Sequence, residues 1–323
     1  MKTKTGTNID EAISLLNSAN IVAIPTETVY GLAANGLDEQ AIQKIFKAKQ
    51  RPLSNPLILH FKNLMDLSKY VLDLPKSAEL LAHHFWPGPL TLLLEKSNLI
   101  PDVVNAGKSR IAVRIPNHEM TLKLLKKIDF PIAAPSANLY GRISPTKAEH
   151  VIHQLDGIIP YVLNGGKCEN GIESTIVGFE NNLPVIYRLG AITVEQLESC
   201  LNQKVKIHNH NIKSNGPDTS GMVKFHYAPR TPIYDIKEMD SNEGTENIGY
   251  IGFDKLERSI PVENQFLLSE SGDLEIASKN LYHSLHYMDQ KKFEKIFISK
   301  FPAKGLGLSM NDRITKAIAK FKA

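Results

Sequence analysis

Two hydrophobic rhythms alternate over the first two thirds of the chain. NIDEAISLLNSAN turns Ile13, Leu15 and Leu16 to one side and offers Asp10 as an N-cap, which predicts a helix. IVAIP follows as a short apolar run, the pattern of a buried strand. DEQAIQKIFKAKQ returns to helical spacing, with Ala41, Ile42, Ile45 and Phe46 on one face and Pro52 as its stop. PLILHF reads as a strand, AELLAHHFW as a helix stopped at Pro87-Gly88-Pro89, and LTLLLEK as another strand. IAVRIP, IAAPSA, YVLNGG and STIVGF are further short strands between turn residues. Strands alternating with helices predict an α/β unit built on one sheet. Several strands succeed one another with no helix between them, so the sheet is expected to be mixed.

The pattern changes after about Lys206. HNHNIKSNGPDTSG is polar and aperiodic and reads as a linker. From Pro232 onward come the strands IYDI and NIGYIGF, a long helix over LEIASKNLYHSLHYMDQ, the strand KIFISKFP and a final helix over DRITKAIAKFK. That series predicts a second, smaller α/β unit. The expected division is residues 8–206, a linker over 207–231, and a C-terminal domain over 232–323. A chain of 323 residues is long for one core and sufficient for two.

Composition changes this picture little. With 42% hydrophobic and 22% charged residues the chain is of the ordinary globular kind. Its net charge of +4 is too weak to imply nucleic acid by itself but suits an anionic ligand. Cys168 and Cys200 make neither a disulfide framework nor a zinc set. MKTKTGTNIDEA has no apolar core of a signal peptide, and no run of about 18 apolar residues occurs, so a cytoplasmic location off the membrane is expected.

The candidate chemistry lies in the connections. PTETVYGLAAN gathers Thr26, Glu27, Thr28 and Tyr30 after a strand, either to present hydroxyls to a ligand or to cap a turn. In KAKQRPLSNPLILHF, Lys47 and Lys49 fall at a helix end, where the dipole suits cations with no ligand at all. Arg51 sits at the turn beside Ser54 and Asn55, placed for bidentate phosphate contact. Taken singly, each of these is explained by solvated basic surface, and His60 by an ordinary strand-end histidine. KSRIAVRIP is more telling. Period two puts Arg110 and Arg114 on one face with Ala112, and Val113 on the other. Two arginines on one side of a core strand are costly unless they meet anions. APSANLYGRISPT, with Ser136, Asn138 and Ser144, and NGGKCENGIESTIV, with Ser174 and Thr175, are small-residue loops that let a ligand approach the main chain; Arg188 follows another strand. No phosphate loop, dinucleotide fingerprint, HExxH or GxSxG is present. Carboxylates in these loops are few, Glu27 and Glu173 among them. A cavity rich in arginines, lysines and hydroxyls but poor in carboxylates suits phosphoryl or nucleotidyl transfer, which depends on positioning and charge stabilisation.

Together, PTETVYGL, KAKQRPLSNPL, WPGPLT, RIAVRIP, APSAN with SPT, and ESTIV resemble the YrdC-like domain of the threonylcarbamoyl-AMP synthase family, over roughly residues 8–205. HYAP (His226–Pro229) and GLGLSMNDR (Gly305–Arg313) resemble its long, two-domain form. The resemblance implies a twisted, mixed, open α/β sheet around a basic cavity, followed by a smaller Rossmann-like α/β domain. It implies synthesis of threonylcarbamoyl-AMP and pyrophosphate from L-threonine, bicarbonate and ATP, with Mg²⁺ bridging phosphates and no covalent nucleophile. The product would serve t6A modification at position 37 of tRNAs reading ANN codons, through a separate transferase complex, so that any contact with tRNA is indirect. For ATP the resemblance implies Arg51, Asn55, Arg110, Ser136, Ser144, Arg188 and, as part of a lid, Tyr227. For L-threonine it implies Thr28, His60, Arg114, the Ala134 backbone and Ser174, with Lys47 and Lys49 adding positive potential. The linker departs from the family pattern, with Ser220 where proline is usual and Phe225 where arginine is common. A non-catalytic RNA-binding maturation factor is the competing class; an aromatic content of 7% and cations clustered beside hydroxyls weigh against it.

Overall fold

The computed structural model describes residues 2–208, 217–240 and 244–322. Residues 209–216, inside the expected linker, and 241–243 lie outside the described residues.

The first unit is an eleven-stranded sheet. Its spatial order is Lys4–Gly6, Tyr161–Leu163, Val22–Ile24, Gly31–Asn35, Ile132–Ala133, Ile58–His60, Arg110–Arg114, Leu90–Glu95, Thr175–Glu180, Leu183–Arg188 and Lys206–Ile207. Five neighbouring pairs are parallel and five antiparallel. The mixed sheet expected from successive strands is therefore what forms. Strand Arg110–Arg114 is central, and pairing in parallel with Ile58–His60 sets Ile58 opposite Ala112 and His60 opposite Arg114. Alternation then divides the faces. Ile111, Val113 and Ile115 join the largest core, whereas Ala112 packs with Ile58, Leu93, Ile176, Val185, Tyr187 and Met222.

Local details differ from the sequence reading. Asn8, rather than Asp10, caps the first helix, its side chain accepting from the Asp10 and Glu11 amides. Helix Glu39–Lys49 ends at Gln50 in the left-handed conformation, before Pro52 is reached. GLAAN is a strand, built of residues small enough to pack between two neighbours. The last helix starts at Leu306, one and a half turns before DRITKAIAKFK.

The second unit has a four-stranded, fully parallel sheet in the order Ile233–Asp235, Lys295–Ile298, Ile248–Gly252, Gln265–Leu267, the last strand being unforeseen. Helices Leu274–Gln290 and Leu306–Ala319 pack on it. Its core continues into the first unit and the connector: Val29, Ile143, Ile172, Tyr227 and Ala228 belong to the same apolar cluster as Leu281, Tyr282 and Ile314.

Candidate functional site

A cavity opens on the face of the sheet that carries Ala112. The strand ends at Ile58, His60 and Arg114 form its floor, and the loops Thr26–Gly31, Ala134–Ser136 and Glu173–Ser174 its walls. Arg188 completes the opposite wall, although strict alternation from Val185 would point it to the other face. The ladder shifts register between Ile186 and Arg188, and such bulges re-aim side chains. The connector covers the cavity with Ser220, His226 and Tyr227.

Of the expected residues, Thr28, His60, Arg114, Ala134, Ser136, Ser174, Arg188 and Tyr227 line this cavity. Arg51 and Asn55 stand behind that lining. The Arg51 guanidinium donates to the Asn55 side chain at 2.7 Å, to the Pro56 carbonyl at 2.8 Å and to the Ser220 hydroxyl at 3.4 Å. Burial lowers its pKa to about 10, which leaves it charged at neutral pH. Ser144 is not a lining residue; its hydroxyl donates to Glu173 at 2.6 Å. Arg110 shares the face of Arg114 but lies farther out, bonded to the Tyr187 hydroxyl at 3.1 Å and bordering a separate open hollow with Lys108 and Asp218. The two lysines part company. Lys47 is solvent-exposed, a helix end suited to its dipole. Lys49 is 1% exposed and donates to the Ser136 and Asn138 carbonyls, pinning the small-residue loop. Its burial, with Arg51 nearby, lowers its pKa well below the ordinary value.

The floor is electrostatically balanced in a way the sequence did not disclose. Arg114 Nη2 lies 2.8 Å from Glu27 Oε1, both side chains being almost fully buried. Arg114 also donates to the Thr28 hydroxyl at 3.0 Å and to the Gly88 carbonyl at 3.2 Å. The guanidinium is thus locked in place before any ligand arrives. The Glu27 carboxylate oxygens make no hydrogen bond, so Glu27 acts on Arg114 as a countercharge only. The turn that places both Glu27 and Thr28 is organised by Thr26, whose hydroxyl accepts from the Thr28 and Val29 amides. Tyr30, read as a candidate hydroxyl, instead ties this strand to the Gly165–Gly166 loop.

His60 is 3% exposed, and its Nδ1 has no hydrogen-bond partner. Burial, with Arg114 close by, lowers its pKa to about 3, so it is a neutral imidazole at pH 7. The Ala134 amide is spent on the Ile58 carbonyl at 3.0 Å, which leaves its carbonyl to offer a ligand. Arg188 holds Ser174 through three bonds of 2.9–3.1 Å and reaches the Ser220 carbonyl at 3.3 Å. Ser220, one of the two residues that depart from the family pattern, thereby links Arg51 and Arg188 to the connector.

Glu173, one of the few loop carboxylates, joins the domains. Its oxygens accept from Ser144, from the Tyr282 hydroxyl at 3.0 and 2.8 Å, and from Arg313 Nε at 2.8 Å. Burial opposes its charge, but Arg313 and Arg188 overcome that and hold its pKa down at about 2. The partners lie 109 and 140 residues away in sequence, so no local signal could have found them. His226, another missed lining residue, was visible in HYAP but had been given no role. Among the described residues no cluster of His, Cys, Asp and Glu could hold a metal ion. The lining carboxylate, Glu173, is saturated, and Glu27, behind the lining, faces Arg114.

Comparison with known proteins identifies the family. Residues 14–190 match the Sua5/YciO/YrdC family model, described as telomere recombination, and residues 192–319 match the C-terminal domain of threonylcarbamoyl-AMP synthase. Threonylcarbamoyl-AMP synthase of Pyrococcus abyssi is 38% identical over 95% of this chain and 92% of its own length. That of Bacillus subtilis is 36% identical over 96% and 92%. The crystal structure of P. abyssi Sua5 complexed with L-threonine superposes with a TM-score of 0.87 at 36% identity, covering 96% of this chain and 94% of that one.

Proposed function

We propose a function from one premise: the chain belongs to the threonylcarbamoyl-AMP synthase family, in its two-domain form. The reaction is the joining of L-threonine, bicarbonate and ATP into threonylcarbamoyl-AMP with release of pyrophosphate, for t6A modification of tRNA. The observation that carries it is the preset Arg114 guanidinium, held between Glu27 and Thr28 on the floor of a covered cavity whose far wall is Arg188.

In this reading Arg114 takes the threonine carboxylate, with Thr28, Ser174 and the Ala134 carbonyl around the rest of the molecule. Neutral His60 accepts a hydrogen bond from the amine; a base with a pKa of about 3 does not keep the proton. The amine and bicarbonate condense to a carbamate with loss of water, and a carbamate oxygen attacks the α-phosphorus in line, breaking its bond to the α–β bridging oxygen as pyrophosphate leaves. Arg51, Arg110 and Arg188 supply positive potential on the phosphate side, with Ser136 and Tyr227 against the nucleotide. The protein's part is orientation and charge stabilisation, with no covalent intermediate. Mg²⁺ would arrive on the phosphates of ATP, since the cavity offers no free carboxylate of its own.

No helix among the described residues is long and apolar enough to cross a membrane. A tRNA-directed product places the work in the cytoplasm, with a separate transferase complex as recipient. A catalytically silent RNA binder fits poorly, because Arg51, Arg114 and Arg188 are buried and out of reach of an RNA backbone. Pyrophosphate release is the test, with threonine, bicarbonate and ATP omitted in turn. Release should require all three, and release indifferent to threonine would refute the proposal.

A further inference from the structure

The second domain reaches the cavity wall through Tyr282 and Arg313, which both bond Glu173, and Arg313 also reaches the connector. Arg313, on helix Leu306–Ala319, is 1% exposed. Each part of its guanidinium has a different partner. Nε donates to Glu173 at 2.8 Å, Nη2 to the Leu189 carbonyl at 2.7 Å, and Nη1 to Asp312 at 2.6 Å. Its Cζ lies over the Tyr227 ring, 4.9 Å from the ring centre. Glu173 and Tyr227 both line the cavity, and Leu189 follows Arg188 in the chain. Tyr227 needs such support, because it sits at φ 65°, a left-handed conformation that bulky residues avoid. One turn further along the helix, Lys316 donates to the Gly221 carbonyl at 2.8 Å, and its own carbonyl accepts from the His226 amide at 3.4 Å. The same helix therefore grips the connector at Gly221, at His226 and at Tyr227, and holds the wall carboxylate beneath them.

We infer that Arg313 is a positioning residue of the adenylation site. By tying Glu173 and the Tyr227 ring to one guanidinium, it holds residues 219–228 over the nucleotide side of the cavity. This is what the second domain contributes to the reaction. The inference rests on the synthase reading for its chemistry, but the grip on the connector can be measured without it. Arginine is required, because only its planar fork can pair with a carboxylate, bond a carbonyl and stack on a ring together.

The test uses the full chain and three variants: Arg313→Lys, Arg313→Met, and Arg313→Met combined with Glu173→Gln. The double variant removes both charges, so it folds without an unpaired buried carboxylate. Hydrogen exchange of the 219–228 amides in the absence of ligand reads the grip directly. Isothermal titration with L-threonine and steady-state pyrophosphate release against ATP read the site. In the double variant, exchange in 219–228 should accelerate about tenfold or more and the KM for ATP should rise about tenfold or more. The Kd for L-threonine should stay within about threefold of the parent. Arg313→Lys should recover thermal stability but keep the raised KM for ATP. A folded double variant with parental exchange and parental KM would overturn the inference. Threonine and ATP affinities falling in parallel would do so too, since that is the mark of a scaffold residue. Parent protein that releases no threonine-dependent pyrophosphate would instead sink the synthase reading, and the exchange data would still judge the grip.

Discussion

Arg114→Ala is the natural probe of the threonine site, and the structure shows why that variant alone misleads. Removing the guanidinium strips Glu27 of its neighbouring countercharge in a place where its oxygens make no hydrogen bond. Breaking a buried pair from one side costs about 3–5 kcal/mol, a large part of a typical stability of about 5–15 kcal/mol. Arg114→Ala should therefore lose both stability and threonine binding, and the second loss could be blamed on the first. Combining it with Glu27→Gln removes the stranded charge. The double variant should recover most of the stability while binding stays lost. Charge-assisted hydrogen bonds contribute about 1.5–3 kcal/mol, so losing the threonine carboxylate's partner should weaken binding by about 10- to 150-fold. Thermal melts and isothermal titration with L-threonine measure the two effects separately. If the double variant binds threonine within about threefold of the parent, the carboxylate is held by other groups and the assignment of Arg114 is wrong. If the single variant is as stable as the double, Glu27 does not act as the countercharge described.

Two further outcomes follow from the burial pattern. Burial holds His60, His150 and His286 below the ordinary 6.5, at about 3, 2 and 4. As pH falls the unfolded chain takes up these protons first, so stability is full above pH 6.5. It should then decline at about 1.4 kcal/mol per pH unit for each group until the folded form also protonates. Glu173, depressed to about 2, adds its own loss only between pH 4.5 and 2. Urea midpoints at pH 7.5 and 5.5 measure the histidine part, and equal midpoints would contradict it. Gly190→Ala would drive a methyl group into the backbone of Glu173, Ser174 and Thr175, which cannot yield as a flexible side chain can. Overpacking of this kind costs about 1–3 kcal/mol, and the variant should lose threonine affinity more than its fall in melting temperature explains; unchanged affinity by titration would show that the wall is softer than described.

What the sequence disclosed follows a physical line. The two arginines on one strand face were legible because strand periodicity is local, and Ala112 between them confirmed which face. The value of His60 depended on its parallel pairing opposite Arg114, which is a matter of topology and not of spacing. Arg188 is implied as an ATP residue by the family resemblance, whereas spacing alone could not give its direction, which depends on a register shift with no distinctive residue type. Glu27 was noticed as a carboxylate without its purpose, because its partner lies on another strand. The small-residue run GLAAN hid a strand, for alanines and glycine carry weak strand preference and only burial between neighbours decides. The helix start at Leu306 was hidden by the glycines of GLGLS, a residue type of low helix propensity.

The link between Glu173 and Arg313 also imposes an order in time. The two residues are 140 positions apart. At a synthesis rate of about 5–20 residues per second, roughly 7–28 s pass between their emergence from the ribosome's catalytic centre. For that interval the nascent first domain holds a carboxylate in its wall with Arg188 but without its main counterion, and a connector held only by first-domain contacts such as those of Ser220 with Arg51 and Arg188. The cavity becomes a closed reaction vessel only once the distant helix has arrived, so a half-made chain is an unfinished enzyme even where its first sheet is already whole.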